Sequence, residues 1–364
     1  MALESLSSST ANFYAPRFEV EINNTHLAAN ISKAIMDVTI DEKLDEGASF
    51  HFTVNDEFDV AKQQFKWLDH PLLEVGNTVG IKFGYGGDMQ EMVLGRITSI
   101  EPSFFSGDLP TIVITGQDLS YDITKRETPA EPFTGSYSDI ARKIISKSKA
   151  QLQAVVDDTP VFEPLISKNN NETYYKFLES LATKIGFTLA IDRRTMYFIK
   201  PRDDRKEILT LALGKDIISF NPRMNTTGLV TEVEVRGHNP QDPNTPIVGR
   251  APTGSERTLE PGRQTGSQFA AEHYGEIKSV LTGLIVNSVE HANAIAQSEL
   301  NRRSDTFIEG EVDSIGIPQI RPGVTIKLEK MGRKFGGKYY VKETSHSIGN
   351  SGYRLHFKVK RNAI

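Results

Sequence analysis

Alternating apolar and polar residues occur in many short runs of this chain. The run SFHFTVND, residues 49–56, places Phe50, Phe52 and Val54 on one side and His51 and Thr53 on the other. This period of two is typical of an antiparallel strand with one buried face. The run RFEVEI, residues 17–22, has the same pattern and is followed by the turn residues NNT. The pattern therefore predicts a mainly β protein.

Two distant segments share one order of strands. LEVGNTVGIKF (73–83) resembles IRPGVTIKL (320–328), and two more strand-like runs follow each, at 93–100 and 111–117 and at 340–348 and 353–360. This order predicts the same three-stranded sheet twice, although generic amphipathic strands could also produce the match. The residues expected to set its turns and strand starts are Gly76, Gly80, Pro322 and Gly323. They are structural rather than chemical.

Helical periodicity is confined to a few segments. Residues 171–186 have the clearest helical pattern, with Asn171 as a candidate N-cap and Gly186 as the terminator. A hairpin is expected after this helix, turning at 192–194. The other predicted helices span 59–69, 136–148 and 287–305, the last with Asn287 as candidate N-cap.

A Pro-rich boundary near 125–135 and the return of β character near 208 divide the chain. We expect a disordered N-terminus, two β-barrel or β-sandwich units related by the repeat, and an α+β insert between them. Within the second unit, residues 237–265 are rich in Pro, Gly, Asn and Gln and are expected to form a long loop. The predicted boundaries are 1–15, 16–125, 126–205 and 206–364.

The composition excludes several classes of site but does not indicate a catalytic function. The 364 residues include no cysteine, which excludes disulfides, thiolate metal sites and cysteine nucleophiles. No apolar run approaches the length of a membrane span, and the N-terminus has no secretion signal. Residues 1–60 carry eleven acids against three cations, whereas residues 321–364 carry eleven cations against two acids. These segments are either complementary between copies or partners, or simply two solvated faces.

Catalytic and binding motifs are not found. The sequence has no nucleophile elbow, zinc-protease motif, phosphate loop or dinucleotide fingerprint, and FGYGGD at 83–88 is best explained as a hairpin turn. His346 and His356 could form half of a metal site across neighbouring strands, but two exposed surface histidines are favoured. We therefore predict no catalytic, cofactor-binding or metal-binding residues, and no recognition of a nucleic-acid sequence.

The order of these segments resembles the phage late control protein D family, the central hubs of contractile phage tails, tailocins and extracellular injection systems. It is also similar to the N-terminal part of type VI secretion spike proteins. The resemblance rests on PRFEVEINN, LLEVGNTVGIKFGYG with LGRITSI, PFTGSYSDIARKI, NETYYKFLESLATKIGFTL, and PQIRPGVTIKL with GGKYYVKETSHSI. No single segment is a signature, but their order and spacing cover nearly the whole chain apart from 237–265.

This resemblance implies a non-enzymatic structural protein with two tube-protein-like units in each chain. Three chains would form a ring of six units that joins a hexameric inner tube to a trimeric spike and surrounds a cargo channel. The expected partners are two further copies, the inner tube protein, a separate spike chain and baseplate wedge components. A separate spike is expected because the sequence stops four residues after Lys360. Assembly would take place in the bacterial cytoplasm.

Two other functions remain open from the sequence. A carbohydrate- or wall-binding β protein would expose aromatic residues on the insert, whereas Tyr174 and Phe177 lie on the helix face expected to be buried. A wall-degrading baseplate enzyme would require a cleft with an acid pair. The adjacent carboxylates Asp203–Asp204 and Asp157–Asp158 cannot easily flank one substrate atom, because neighbouring strand residues point to opposite faces.

Overall fold

A computed structural model describes residues 15–27, 29–44, 46–106, 108–148, 152–163, 165–201, 206–239 and 242–364. The disorder expected at residues 1–15 lies outside this part of the chain, apart from Ala15. Among the described residues, no helix is both long and apolar enough to cross a membrane. The prediction of a mainly β chain with an α+β insert is confirmed.

The strands are numbered in chain order. They are β1 Pro16–Ile22, β2 Thr25–His26, β3 Ile35–Lys43, β4 Gly47–Asn55, β5 Phe58–Asp59, β6 Gln64–Phe65, β7 Thr78–Tyr85, β8 Asp88–Ser103, β9 Thr111–Asp118, β10 Glu127–Thr128, β11 Glu131–Phe133, β12 Gln153–Val156, β13 Ile166–Lys168, β14 Glu172–Thr173, β15 Thr188–Asp192, β16 Thr195–Ile199, β17 Leu209–Ala212, β18 Ile217–Met224, β19 Glu232–Asn239, β20 Asp242–Ala251, β21 Lys278–Ile285, β22 Ile308–Ile315, β23 Thr325–Glu329, β24 Gly337–Gly349 and β25 Gly352–Arg361.

The helices are shorter and fewer. They are α1 Ala29–Ala34, α2 Tyr121–Thr124, α3 Tyr137–Ser146, α4 Tyr174–Ile185, α5 Gly266–Tyr274, α6 Val289–Ser304 and α7 Gly332–Phe335, with a 3-10 turn at Pro71–Leu73. Helix α3 begins at a capping box formed by Ser136 and Asp139. Helix α4 ends at Gly186, which adopts the left-handed conformation that glycine favours.

Within the described residues, thirteen strands form one sheet that contains the same arrangement twice. The first repeat has the strand order β3-β4-β9-β8-β7-β1, and the second has the order β18-β22-β25-β24-β23-β17. The three-stranded segments predicted to recur are the meanders β7-β8-β9 and β23-β24-β25. The terminal pairings differ, since β1 is antiparallel to β7 while β17 is parallel to β23.

Alternation places the apolar residues of each repeat in a core of its own. The first core includes Val38, Ile40, Phe50, Phe52, Ile81 and Ile114, and the second includes Phe220, Val312, Ile326, Tyr339, Val341 and Phe357. Ile348 and Tyr353 belong to the second repeat in sequence but lie in the first core. The two cores are therefore coupled by the β24-β25 hairpin.

Two α/β segments accompany the repeats: one lies between the two repeats and the other lies within the second repeat. The insert after β9 packs α3 and α4 around Phe133, Leu178 and Phe198. A second segment lies between β18 and β22, where α6 packs on the small sheet β20-β19-β21. The corresponding connection in the first repeat is only the short turn between β3 and β4.

The second segment corrects the expected long loop at 237–265. All of β20 and the end of β19 lie there, and β20 is an edge strand. This strand was not predicted because Pro243 and Pro246 argue against a strand in the sequence. Proline is nevertheless compatible with an edge strand, although not with a central one.

The helix expected at 59–69 is also wrong. The chain instead forms the β5-β6 pair and turns, because the Asp59 carboxylate accepts hydrogen bonds from the backbone N–H groups of Ala61 and Lys62. Asp56 likewise accepts from the N–H groups of Trp67 and Leu68. Two expected N-caps are displaced by one or two residues, since Thr173 caps α4 and Ser288 caps α6.

Candidate functional site

The junction between the two repeats is the candidate functional site. Strand β24 is longer than its partner β23, and its first residues pair with β23 from Gly337 to Tyr340. Its later residues, from Glu343 to Ile348, pair antiparallel with β3 of the first repeat. Because β23 and β3 lie end to end along one side of β24, the two repeats share a continuous sheet.

A buried ion pair reinforces this junction. Arg321 precedes β23, and its Nε atom lies 3.0 Å from Oε1 and 3.2 Å from Oε2 of Glu42 on β3. Arg321 Nη2 contacts the same carboxylate and also donates to the carbonyl oxygen of Met92 at 2.9 Å. Burial raises the pKa of the Glu42 carboxyl, and the positive charge of Arg321 opposes that rise.

The insert is tied to the same arginine. Asp192 ends β15, and its Oδ1 atom lies 3.1 Å from Arg321 Nη1. Arg321 therefore contacts the first repeat through Glu42 and the insert through Asp192, while it belongs to the second repeat. The role of Arg321 was not predicted from the sequence, although the acidic segment 1–60 and the basic segment 321–364 indicated that opposite charges could meet. Their opposite charges meet here within one chain.

A buried histidine lies beside this ion pair. His346 Nε2 is 2.9 Å from the carbonyl oxygen of Ile320, which can only accept, so Nε2 carries the hydrogen. Nδ1 then accepts from the hydroxyl of Tyr353 at 2.9 Å. Burial lowers the pKa of His346 to about 3. The neutral imidazole thus joins the segment that precedes β23 to the tip of the β24-β25 hairpin.

The tip of that hairpin docks on the first repeat through aromatic rings. Tyr353 stacks on Tyr85 with ring centres 5.6 Å apart and meets the edge of Phe83 at 5.4 Å. Tyr85 donates its hydroxyl hydrogen to the carbonyl oxygen of Gly316 at 2.8 Å. A Cβ atom on Gly316 would lie 1.9 Å from Tyr353 Cγ, so this close approach requires glycine.

Three of the four residues singled out from the sequence lie at equivalent strand starts. Gly76 and Gly323 have φ values of +94° and +91°. Each donates its N–H to the middle strand of its meander, to Ile97 O at 2.8 Å and to Val341 O at 2.9 Å. Pro322 directly precedes Gly323. Gly80 lies inside β7, where a Cβ atom would make only ordinary contacts.

The histidines expected to be exposed surface residues are placed differently. His346 is fully buried, and His356 Nδ1 lies within hydrogen-bond distance of Asp313 Oδ1 at 2.8 Å. In the β24-β25 ladder, Ser345 is opposite His356, so the two histidines lie on opposite faces of the sheet. Among the described residues, no group of three or more His, Asp or Glu side chains is arranged to hold a metal ion.

The other face of the junction is polar. Cross-strand ion pairs run along it, including Lys358–Glu343 at 3.1 Å and Lys342–Glu309 at 3.0 Å. Thr39 and Ser347, which are opposite each other in the β24-β3 ladder, lie on the same face further along β24. Since the charged groups are partnered by one another, this face offers a hydrated surface of mixed charge.

Each repeat also has, at the position equivalent to the junction, a strand edge without a partner strand among the described residues. In the first repeat, β8 extends beyond β7 from Ser99 to Ser103, and only β9 pairs with this extension. In the second repeat, β18 pairs only with β22. These edges are the counterparts of the edges of β24 and β3 that pair within the chain.

Among the described residues of the insert, no aromatic side chain is fully exposed. Phe177 is buried in the core of the insert and stacks on Phe133 at 5.4 Å. Tyr174 is half-buried, and its hydroxyl donates to Glu131 at 2.8 Å.

Solved structures of phage tail proteins have a similar fold. The 43 kDa tail protein of prophage MuSo2 from Shewanella oneidensis is 16% identical, with a TM-score of 0.69 over 95% of this chain and 98% of that one. A tail protein from Neisseria meningitidis MC58 is 12% identical, with the same TM-score over 96% and 97%. An Escherichia coli component of the type VI secretion system is 12% identical, with a TM-score of 0.57 over 94% and 77%.

The family of this chain follows from its amino-acid sequence. Residues 14–350 match the family described as the Alg8 N-terminal domain, and the chain belongs to that family. No curated protein sequence matches the chain.

Proposed function

We propose that this protein is the structural central hub of a contractile injection system baseplate. Three copies form a ring of six sheet repeats, which joins a hexameric inner tube to a trimeric spike. The protein acts without catalysis. It is assembled in the bacterial cytoplasm and then forms part of a phage tail or related injection particle.

The observation that carries this proposal is the tandem repeat with its unmatched edges. Within one chain, the side of β24 holds β3, and this contact joins two repeats of the same strand order. The equivalent edges of β8 and β18 are left without a strand partner in the described part of the chain. A head-to-tail contact of this kind continues from copy to copy until the ring closes. Closure removes exposed sheet edges, which otherwise promote aggregation.

The proposed domains follow this division. Residues 16–125 and 206–364 are the two tube-like units, and residues 126–205 form an insert at the periphery, where wedge components can dock. The polar face of the sheet, with its cross-strand ion pairs, lines the channel. The likeness to tail proteins and to a type VI secretion component supports this assignment at the level of fold.

The spike and tube partners are part of the same proposal. The type VI secretion component is itself described as structurally similar to the T4 phage tail proteins gp27 and gp5. For this chain, we propose one face of the ring as the docking site for a hexameric tube and the opposite face as the site for a trimeric spike.

The first experiment is the mass of the protein in solution by light scattering, alone and then mixed with tube and spike proteins from the same gene cluster. We expect a complex containing three copies of the 40.5 kDa chain, with the spike bound. A monomer that binds neither partner would overturn the proposal. A peptidoglycan zymogram and a glycan pull-down, both expected to be negative, test the enzymatic and wall-binding functions.

A further inference from the structure

The two repeats correspond residue by residue. The β24-β3 contact within one chain can therefore be used to infer the contact between equivalent strands of two chains. In the first repeat, the β8-β9 ladder shifts register at Thr98, between Ile97 and Ser99. In the second, the β24-β25 ladder shifts at Lys342, between Val341 and Glu343. Thr98 and Lys342 are therefore equivalent, and residues 99–103 of β8 together with Phe104, which directly follows the strand, correspond to residues 343–348 of β24.

The strands on the receiving side correspond equally well. The β3-β4 ladder shifts register at Met36, and the β18-β22 ladder shifts at Ile218. Counting from these two positions, residues 38–43 of β3 correspond to residues 220–224 of β18 and to Asn225, which directly follows that strand. Every residue of the β24-β3 contact thus has a counterpart on an edge that lacks a strand partner in the described residues.

We infer that β8 of one copy pairs antiparallel with β18 of the next copy, in the register set by the β24-β3 contact. This inference rests on the proposed ring and specifies its interface between copies. Its six residue pairs are Ser99–Asn225, Ile100–Met224, Glu101–Arg223, Pro102–Pro222, Ser103–Asn221 and Phe104–Phe220.

One face of the inferred contact is entirely apolar. It brings together Ile100 with Met224, Pro102 with Pro222, and Phe104 with Phe220. The counterparts of these residues in the intrachain junction are all buried: Thr344, His346 and Ile348 on β24, and Glu42, Ile40 and Val38 on β3.

Phe104 shows the difference most clearly. Its side chain is 58% exposed, whereas its counterpart Ile348 is 4% exposed. Burial of an aromatic ring of this size is a large favourable contribution to an interface. A second copy placed in this register covers Phe104 with Phe220, which is itself only partly buried in the single chain.

The opposite face of the contact is polar and complementary in charge. Glu101 and Arg223 are both exposed and become direct cross-strand neighbours in this register. Opposite charges at such positions stabilise a pair of strands, whereas like charges destabilise it. A shift by one residue would place the apolar side chains against this polar face, so the pattern favours a single register.

Two prolines lie at the centre of the inferred contact. Leu44 donates its N–H to Lys342 O at 3.2 Å, so every second residue from Lys342 directs its backbone groups toward β3. By equivalence, Pro102 and Pro222 face their open edges, and neither has an N–H to donate. At this pair the strands form no backbone hydrogen bonds and must lie further apart than β24 and β3 do, because each proline ring occupies the place of an amide hydrogen. The flanking residue pairs therefore supply the hydrogen bonds and side-chain contacts of the interface.

Cysteine cross-linking tests the register directly, because the native chain has no cysteine. Ser103 and Asn221 would face each other as a pair that exchanges no hydrogen bonds, with Cα atoms about 4.5 Å apart, within disulfide range. Under mild oxidation, we expect the double variant Ser103→Cys/Asn221→Cys to form covalent dimers and trimers on a non-reducing gel.

Two matched variants make the result interpretable. Ser99→Cys/Asn221→Cys keeps one of the cysteines but displaces the other by four residues, and we expect no cross-linking between copies. Thr39→Cys/Ser347→Cys places the pair at the equivalent intrachain position, where Thr39 is opposite Ser347, and should form a disulfide within a single chain. This variant verifies the transferred geometry and the oxidation conditions.

The failures of the ring and of the register are distinguishable. A trimer by light scattering that does not cross-link at 103 and 221 would overturn the register and leave the proposed hub intact. A chain that stays monomeric and forms no interchain link would overturn both. As an independent measurement, Glu101→Arg should weaken trimer association about tenfold, and adding Arg223→Glu should restore it. Additive losses in the double variant would contradict the pairing.

Discussion

Arg321 and Glu42 lie 279 residues apart in the chain, yet they form a two-point ion pair in which both side chains are almost completely buried. The pair is fixed by the strand order, because β3 and β24 can be neighbours only when the two repeats are aligned end to end.

We expect Arg321→Met to lower the free energy of unfolding by about 3–5 kcal/mol, because it leaves the Glu42 carboxylate buried without a counter-charge. Adding Glu42→Leu should recover much of the loss, since the uncompensated charge is then absent. Urea unfolding monitored by circular dichroism gives these values. Arg354→Met at an exposed position of β25 is the matched control and should stay within about 0.5 kcal/mol of wild type. A loss at Arg321 no larger than this would show that the pair contributes little.

The buried His346 should make stability depend on pH. Its pKa in the folded state is about 3, below the ordinary value of 6.5, so the imidazole stays neutral in the fold while the unfolded chain takes up a proton. Its contribution to stability is therefore complete above about pH 6.5 and is lost as the pH falls toward 3, by roughly 1.4 kcal/mol per pH unit.

The variant His346→Gln isolates this effect from that of the carboxylates. The difference in free energy of unfolding between wild type and variant should shrink as the pH falls from 7 to 4, and His356→Gln serves as the control on the exposed face. A difference for His346→Gln that stays constant over this range would rule out burial of a neutral imidazole.

Gly76 and Gly80 should respond oppositely to the same substitution. Gly76→Ala places a side chain at φ +94° and should cost about 1 kcal/mol of stability, with Gly323→Ala giving a similar loss. Gly80→Ala adds a Cβ atom in open strand geometry and should be neutral or slightly stabilising. Thermal unfolding of the three variants measures this. Equal losses at 76 and 80 would mean that backbone conformation is not the cause.

Gly316 should be sensitive for a different reason. An alanine there meets the Tyr353 ring, so Gly316→Ala should lower stability by about 1–3 kcal/mol through displacement of the hairpin tip. Near-ultraviolet circular dichroism reports the stacked tyrosines. Gly87→Ala, at a position with open space, is the control. An unchanged aromatic spectrum in Gly316→Ala would contradict the proposed close approach.

The repeat could be predicted from sequence because strand alternation and two glycines mark both copies. Sequence spacing counted Gly76 three residues before Val79 and Gly323 one residue before Val324. In the structure, both glycines lie two residues before a threonine that begins a strand. The comparison of Val79 with Val324, which are not equivalent positions, concealed the matching backbone hydrogen bonds of Gly76 and Gly323.

The junction itself could not be predicted. Nothing local to Glu42 or Arg321 indicates burial, because their environment comes from the pairing of β3 with β24, whose paired residues lie 300 or more positions apart in the chain (Lys43 with Glu343). The helix expected at 59–69 failed for the opposite reason. Apolar residues occur there at helical spacing, but aspartate side chains bind nearby backbone N–H groups, and Val60 is 73% exposed.

Strand β24 has a mechanical consequence. Because β24 pairs with strands of both repeats, tilting one repeat against the other would require breaking the β24-β3 ladder, the Arg321 ion pair and the Tyr353 stack together. A load applied to either repeat is therefore carried in shear along this single strand.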